Sequence, residues 1–114
     1  MPLLMVYFCV LFWQRKVIMN ESKYRTGLIK RIKTRLPGAE VILNDPHYIQ
    51  AIPDVLVLYN NHWAMLETKR DKDAPHRPNQ DYYVSKYGQM AYAAFIFPEN
   101  EEKILDEMER SLKT

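Results

Sequence analysis

Residues 52–69 read Ile-Pro-Asp-Val-Leu-Val-Leu-Tyr-Asn-Asn-His-Trp-Ala-Met-Leu-Glu-Thr-Lys, and the reading of this stretch decides the fold. Residues 55–59 are an unbroken apolar run of β-formers, Asn60-Asn61 tolerates the positive φ angles of a type I′ turn, and residues 62–69 form a second strand. A two-residue loop sets Tyr59 opposite His62, and the same register carried to the open end sets Asp54 opposite Glu67. Directly opposed residues have Cβ atoms roughly 4.5–5.5 Å apart, so the turn alone predicts two carboxylates brought together. Lys69 lies two residues beyond Glu67, on the same face by the strand's period of two. That face carries Trp63, Met65, Glu67 and Lys69, and the other carries Ala64, Leu66 and Thr68.

Opposed like charges on an apolar hairpin destabilise it unless a cation or a proton sits between them. A site at the hairpin's open end is the simplest explanation. The competing one is that the ends fray into solvent and Lys69 merely neutralises Glu67.

Upstream, Asn20 is placed to cap a helix on which Tyr24, Leu28, Ile32 and Leu36 recur every four residues until Pro37-Gly38 ends it. Glu21 precedes Leu28 by two turns and so points toward the apolar side. A first-turn carboxylate that stabilises the helix dipole is the plainer account of it. Lys23, Arg25, Lys30, Lys33 and Arg35 are expected over the remaining surface. Residues 39–43 suggest a short strand, and Asn44-Asp45-Pro46 a turn.

Downstream, residues 70–77 form a charged loop without periodicity, long enough to cover or line the site. Pro78-Asn79 opens a helix with Gln80, Tyr83 and Tyr87 on one face, which Gly88 should fray or end. Residues 91–97 are an apolar strand, and Pro98-Glu99-Asn100 starts a last helix with Ile104, Leu105, Met108 and Leu112 inward.

The chain of 114 residues, 47% apolar, suits one domain with one core. Its net charge of +2 permits nucleic-acid binding without arguing for it. The distribution says more: Lys and Arg crowd into 23–35 and 69–77 while 99–109 is mainly acidic, which suggests one basic face. The single cysteine, Cys9, excludes an internal disulfide and a thiolate zinc site, and points to a reducing compartment. His47, His62 and His76 lack zinc-ligand spacing. Residues 3–13 are an apolar run too short to span a bilayer and lack the flanks of a secretory signal. Two readings of residues 1–18 stand: sequence added upstream of a true start at Met19, or a short strand or helix on the core of the single domain 19–114.

The order helix, strand, hairpin, helix, strand, with Pro53-Asp54, then Glu67-Thr68-Lys69, then Gln80 at a helix start, resembles the PD-(D/E)XK nuclease superfamily over residues 20–112. The likeness is nearest to small stand-alone VRR-NUC nucleases, often phage-encoded and Holliday-junction-resolvase-like. The resemblance implies an α/β, restriction-endonuclease-like fold with an αβββαβ core, a mixed central sheet flanked by helices, and a C-terminal helix. It implies a metal-dependent endonuclease that hydrolyses phosphodiester bonds of DNA, structure-specific for Holliday junctions or other branches, acting in the cytoplasm as a homodimer. Carried over by residue, Asp54 and Glu67 become metal ligands, with the Thr68 carbonyl completing the set. Lys69 becomes the catalytic lysine, Glu21 a supporting carboxylate and Gln80 a site-orienting residue. Hard oxygen donors imply Mg²⁺, with Mn²⁺ as its substitute. The family commonly has glycine two residues before Pro-Asp, where this chain has Ala51, which leaves the local backbone path open.

Two other readings differ in class. A nucleic-acid-binding module could keep such a fold without the chemistry. A protein-interaction domain would explain an aromatic surface around Tyr82, Tyr83 and Tyr87, but not the apposition of Asp54 and Glu67.

Overall fold

The structure, a computed structural model, describes residues 20–114; residues 1–18, on which the reading of an added or core N-terminal segment falls, lie outside them. The first helix, α1, spans Glu21–Arg35 and is capped by Asn20, whose Oδ1 accepts from the Lys23 amide at 2.8 Å. Tyr24, Leu28 and Ile32 form its buried stripe and Leu36, just past its end, is also fully buried. Gly38, at φ +93°, turns the chain where a Cβ would be strained. Strand β1 follows at Glu40–Leu43.

The hairpin is β2 (Val55–Tyr59) and β3 (His62–Thr68), in the register expected: Tyr59 pairs with His62 and Val55 with Leu66. Its turn differs. Only Asn60 has positive φ, +54°, so the two-residue loop closes without the type I′ geometry that needs positive φ at both asparagines. Helix α2 (Gln80–Met90) then returns the chain to β4 (Tyr92–Ile96), which lies parallel to β3. Gly88 does not end α2; the helix runs on to Met90, and the Ala91 amide still bonds the Tyr87 carbonyl. A 3₁₀ turn, Pro98–Asn100, leads into α3 (Glu101–Leu112).

The sheet is therefore mixed, in the order β1-β2-β3-β4, and the elements run αβββαβ with a C-terminal helix, as expected. Alternation gives it two faces. Val55, Val57, Ala64, Leu66 and Ile96 are buried with the α1 stripe and with Ile104, Leu105, Met108 and Leu112 of α3, forming the core. Helix α2 lies against the other face, where Tyr87 meets Trp63. Among the described residues no helix is long and apolar enough to cross a membrane.

Candidate active site

Asp54 ends the segment leading into β2 and Glu67 is the penultimate residue of β3, so the hairpin register brings them level. The Asp54 amide donates to Glu67 Oε2 at 3.1 Å. Asp54 itself stands one residue outside the ladder, and its carboxylate turns toward the next residue across. Its Oδ1 accepts from the Thr68 amide at 3.0 Å, and its Oδ2 from the Thr68 hydroxyl at 2.5 Å and from Arg25 Nη1 at 3.0 Å.

Glu67, Lys69 and Gln80 lie together on the α2 side and are only 4–6% exposed. Buried polar groups of this kind must be hydrogen-bonded, and here they satisfy one another. Lys69 Nζ donates to Gln80 Oε1 at 2.6 Å and to the Pro75 carbonyl at 3.0 Å. Gln80 Nε2 donates to Glu67 Oε1 at 2.8 Å, while its Oε1 also accepts from the Arg77 amide at 2.8 Å. Two donors on one side and an acceptor on the other fix the amide's orientation, because the flipped amide would face donors with a donor. Gln80 is the first residue of α2, which is how the helix holds it against β3. The 70–77 loop reaches the network through the Pro75 carbonyl and the Arg77 amide. His76 pins it, stacked on Phe95 with centroids 4.0 Å apart and with Nδ1 2.8 Å from Asp81 Oδ1.

The charge is unevenly compensated. Burial, reinforced by the negative charge of Asp54, pushes the Glu67 carboxyl up to about 8, against the opposing pull of Lys69 and of the Asp54 amide. Glu21 adds a smaller upward push, which places its charge within reach of Glu67, although it makes no hydrogen bond among the described residues. Asp54 has Arg25 as its cation.

Of the residues singled out in the sequence, Asp54, Glu67, Thr68, Lys69 and Gln80 form one connected hydrogen-bond network, with Glu21 half-buried beside it. Thr68 enters the network through its amide and hydroxyl, which both donate to the Asp54 carboxylate. Arg25, expected on the surface, instead reaches Asp54; its spacing of four from Glu21 puts both on one side of α1 and was a readable signal. The Pro75 carbonyl and Arg77 amide left no trace in the sequence, since every residue offers such groups.

The expectation of one basic face along α1 is overturned in part. Arg31 is paired with Glu101, and Arg35 with Asp106 and Glu109, across the cleft between α1 and α3. The acidic last segment folds back onto these arginines, so the sequence asymmetry is largely internal neutralisation. That cleft lies apart from Asp54 and Glu67, and Arg31, Arg35 and Glu101 along it are already paired.

No family model and no curated protein matches the chain. Among solved structures, the Holliday junction resolvase Hjc of the archaeal hyperthermophile Archaeoglobus fulgidus is similar to it at a TM-score of 0.40 and 14% identity, over 60% of this chain and 64% of that one. A likeness of this size assigns neither a family nor an activity.

Proposed function

We propose that the protein is a divalent-metal-dependent endonuclease of the PD-(D/E)XK class that hydrolyses phosphodiester bonds in DNA. The observation that carries this reading is the network of Asp54, Glu67, Lys69 and Gln80, in which burial and the charge of Asp54 hold a proton on Glu67. No simple stability argument accounts for such a buried cluster, because apolar residues would fill the space at less cost.

The donor set fits a hard cation. Asp54 and Glu67 offer carboxylate oxygens with lone pairs beyond those engaged by the Thr68, Arg25, Gln80 and Asp54 donors, and a nearby double charge would reverse what holds Glu67 protonated. Among the described residues no group of three His, Cys, Asp or Glu side chains is poised around one point. Two carboxylates suit Mg²⁺, which keeps several waters, with Mn²⁺ able to replace it. When bound, such an ion supplies a nucleophilic hydroxide at neutral pH and absorbs charge on the phosphoryl oxygens.

The chain's own residues do the rest. Lys69 Nζ, held by Gln80 and the Pro75 carbonyl, positions the attacking water and faces the scissile phosphate. Gln80 keeps Lys69 and Glu67 in fixed relation, and Glu21 supports the negative field from α1. Arg25 and the side chains of the 70–77 loop hold the backbone of the strand without reading its bases. Branched DNA, in a homodimer that sets two such sites in relation, is the substrate the VRR-NUC resemblance suggests, with the cytoplasm of a phage-infected bacterium as the setting.

Nicking of supercoiled plasmid with Mg²⁺, with Mn²⁺ and in chelator tests the chemistry, and a panel of four-way, flap and linear DNAs tests the substrate. Lys69→Met, which keeps the buried stem, should leave the fold intact and lower cleavage by at least ~100-fold, the scale of a positioned proton-transfer group. Binding without cleavage in either metal would instead identify a non-catalytic module.

A further inference from the structure

The outer face of α2 plays no part in the network at the hairpin's end, yet it is built with some care. Tyr82, Lys86 and Met90 follow at intervals of four and form one solvent-facing stripe, with Tyr82 59% and Met90 65% exposed. Behind Tyr82 stands a ladder of rings. Trp63 of β3 meets Tyr87 edge-on at 6.2 Å, Tyr87 and Tyr83 stack with nearly parallel planes at 6.0 Å, and Tyr83 meets Tyr82 edge-on at 5.1 Å. Each contact lies in the range aromatic pairs prefer. Tyr82 is therefore an exposed ring with a supported orientation.

Lys86 completes the arrangement. Its Nζ stands 6.0 Å from the Tyr82 ring centre and 5.9 Å from that of Tyr87 and has no carboxylate partner among the described residues. The neighbouring acid, Asp81, is engaged by His76. An exposed ring beside an ammonium that lacks a carboxylate partner matches the repeating unit of a nucleic-acid strand, a base followed by a phosphate. A protein-docking patch would not need the ammonium set among the rings.

We propose that this face of α2 stacks an unpaired base of a DNA strand on Tyr82, with Lys86 on the adjoining phosphate. The proposal rests on the nuclease reading and narrows its substrate to DNA with an unstacked or single-stranded segment, because the face of a ring stacks only on a base that has left its own stack. The geometry also says which base. Tyr82 is two residues from Gln80, on the opposite side of the helix, so about one helix diameter, ~10 Å, separates it from the carboxylates. The stacked base belongs to a nucleotide displaced from the scissile phosphate, as at a flap, a gap or a branch point.

The test is binding in chelator, where no strand is cut, of a fluorescein-labelled oligothymidylate and of a hairpin duplex carrying the same label. Tyr82→Leu, which keeps apolar bulk but removes the ring, should weaken strand binding about five- to thirtyfold and leave duplex binding within about twofold. Tyr82→Phe should bind like the parent. Lys86→Gln should weaken strand binding less and reduce its salt slope by about one. A 2-aminopurine base in the strand should be quenched by the parent and by Tyr82→Phe but not by Tyr82→Leu. Unchanged strand binding by Tyr82→Leu, or equal losses for strand and duplex, would overturn the proposal while leaving the nuclease reading intact. A parent that binds neither DNA overturns this proposal, and nicking with Mg²⁺ then decides the nuclease reading separately. A parent that binds strand through Tyr82 yet cuts nothing overturns the nuclease reading alone.

Discussion

Two regions of this molecule gather charge, and they handle it in opposite ways. Between α1 and α3, Arg31 clasps Glu101 through two bonds of 2.7 and 2.9 Å, the Tyr24 hydroxyl donates to the same carboxylate at 2.8 Å, and Arg35 reaches Asp106 and Glu109. Every acid there has a cation, and burial with the Glu101 acceptor holds the Tyr24 hydroxyl well above its ordinary range, as a donor. At the hairpin's end Asp54 is matched by Arg25, while burial and the Asp54 charge hold the proton on Glu67 against the pull of Lys69. The first arrangement closes on itself. The second leaves a buried carboxyl that holds its proton even with Lys69 nearby, and under the proposed function a further cation would complete it.

Removing one carboxylate from each region should therefore act with opposite signs. Glu67, raised from about 4.5 to about 8, is protonated with or without the fold below the ordinary carboxylate range, so its stability contribution there is intact. As pH rises, the unfolded chain ionises first and stability is lost progressively until about pH 8, in all by something on the order of a few kcal/mol. Glu67→Gln should abolish this loss. Its amide keeps only one of the two bonds from Gln80 and Asp54, at about 1 kcal/mol, so it should be somewhat less stable than the parent near pH 5 and more stable near pH 8. Urea melts in chelator across that window read the difference directly, and Mn²⁺ at pH 8 should restore the parent but not the variant. Parallel pH profiles for the two proteins would show that Glu67 ionises freely, and the contrast between the regions would be lost.

Glu101→Ala makes the complementary change. It strands the buried Tyr24 hydroxyl and releases Arg31, and should cost about 1–3 kcal/mol at any pH near neutrality, the penalty of a buried polar group left unpaired. The increment that Mn²⁺ adds should be the same as in the parent, since Glu101 lies in the other cluster. A diminished metal effect in this variant would mean that the two clusters are coupled through α1, which carries both Arg25 and Arg31.

How much of this could be read from the sequence follows from what periodicity encodes. A period of two and a two-residue loop determine the hairpin register, so the meeting of Asp54, Glu67 and Lys69 was legible, as were the α1 stripe and the inward face of α3. Periodicity cannot say which charged side chains find each other across elements, and so Arg25 and the clasp of Arg31 and Arg35 on α3 were missed. The helix continues past Gly88 because α2 packs along β4, whose contacts outweigh the propensity of one glycine. The turn type was misjudged because asparagine permits positive φ without requiring it.

The contrast extends to the backbone, where its smallest expected effect lies. The non-glycine residues of positive φ among those described are Ala51, Asn60 and Asn79. None is in α1 or α3, and two stand close before site residues, Ala51 ahead of Asp54 and Asn79 ahead of Gln80. Asparagine visits this region readily, but alanine gains nothing there, and the left-handed conformation costs it roughly 1–2 kcal/mol. Glycine at this position would avoid that cost. Ala51→Gly should then stabilise the protein, less the roughly 0.5–1 kcal/mol that glycine's freedom adds to the unfolded chain, for a net gain of about 0.5–1 kcal/mol. A higher urea midpoint at unchanged slope is the expected reading. The same substitution at a residue with negative φ would destabilise, so a lower midpoint would place Ala51 outside the left-handed region and remove the strain from the approach to Asp54.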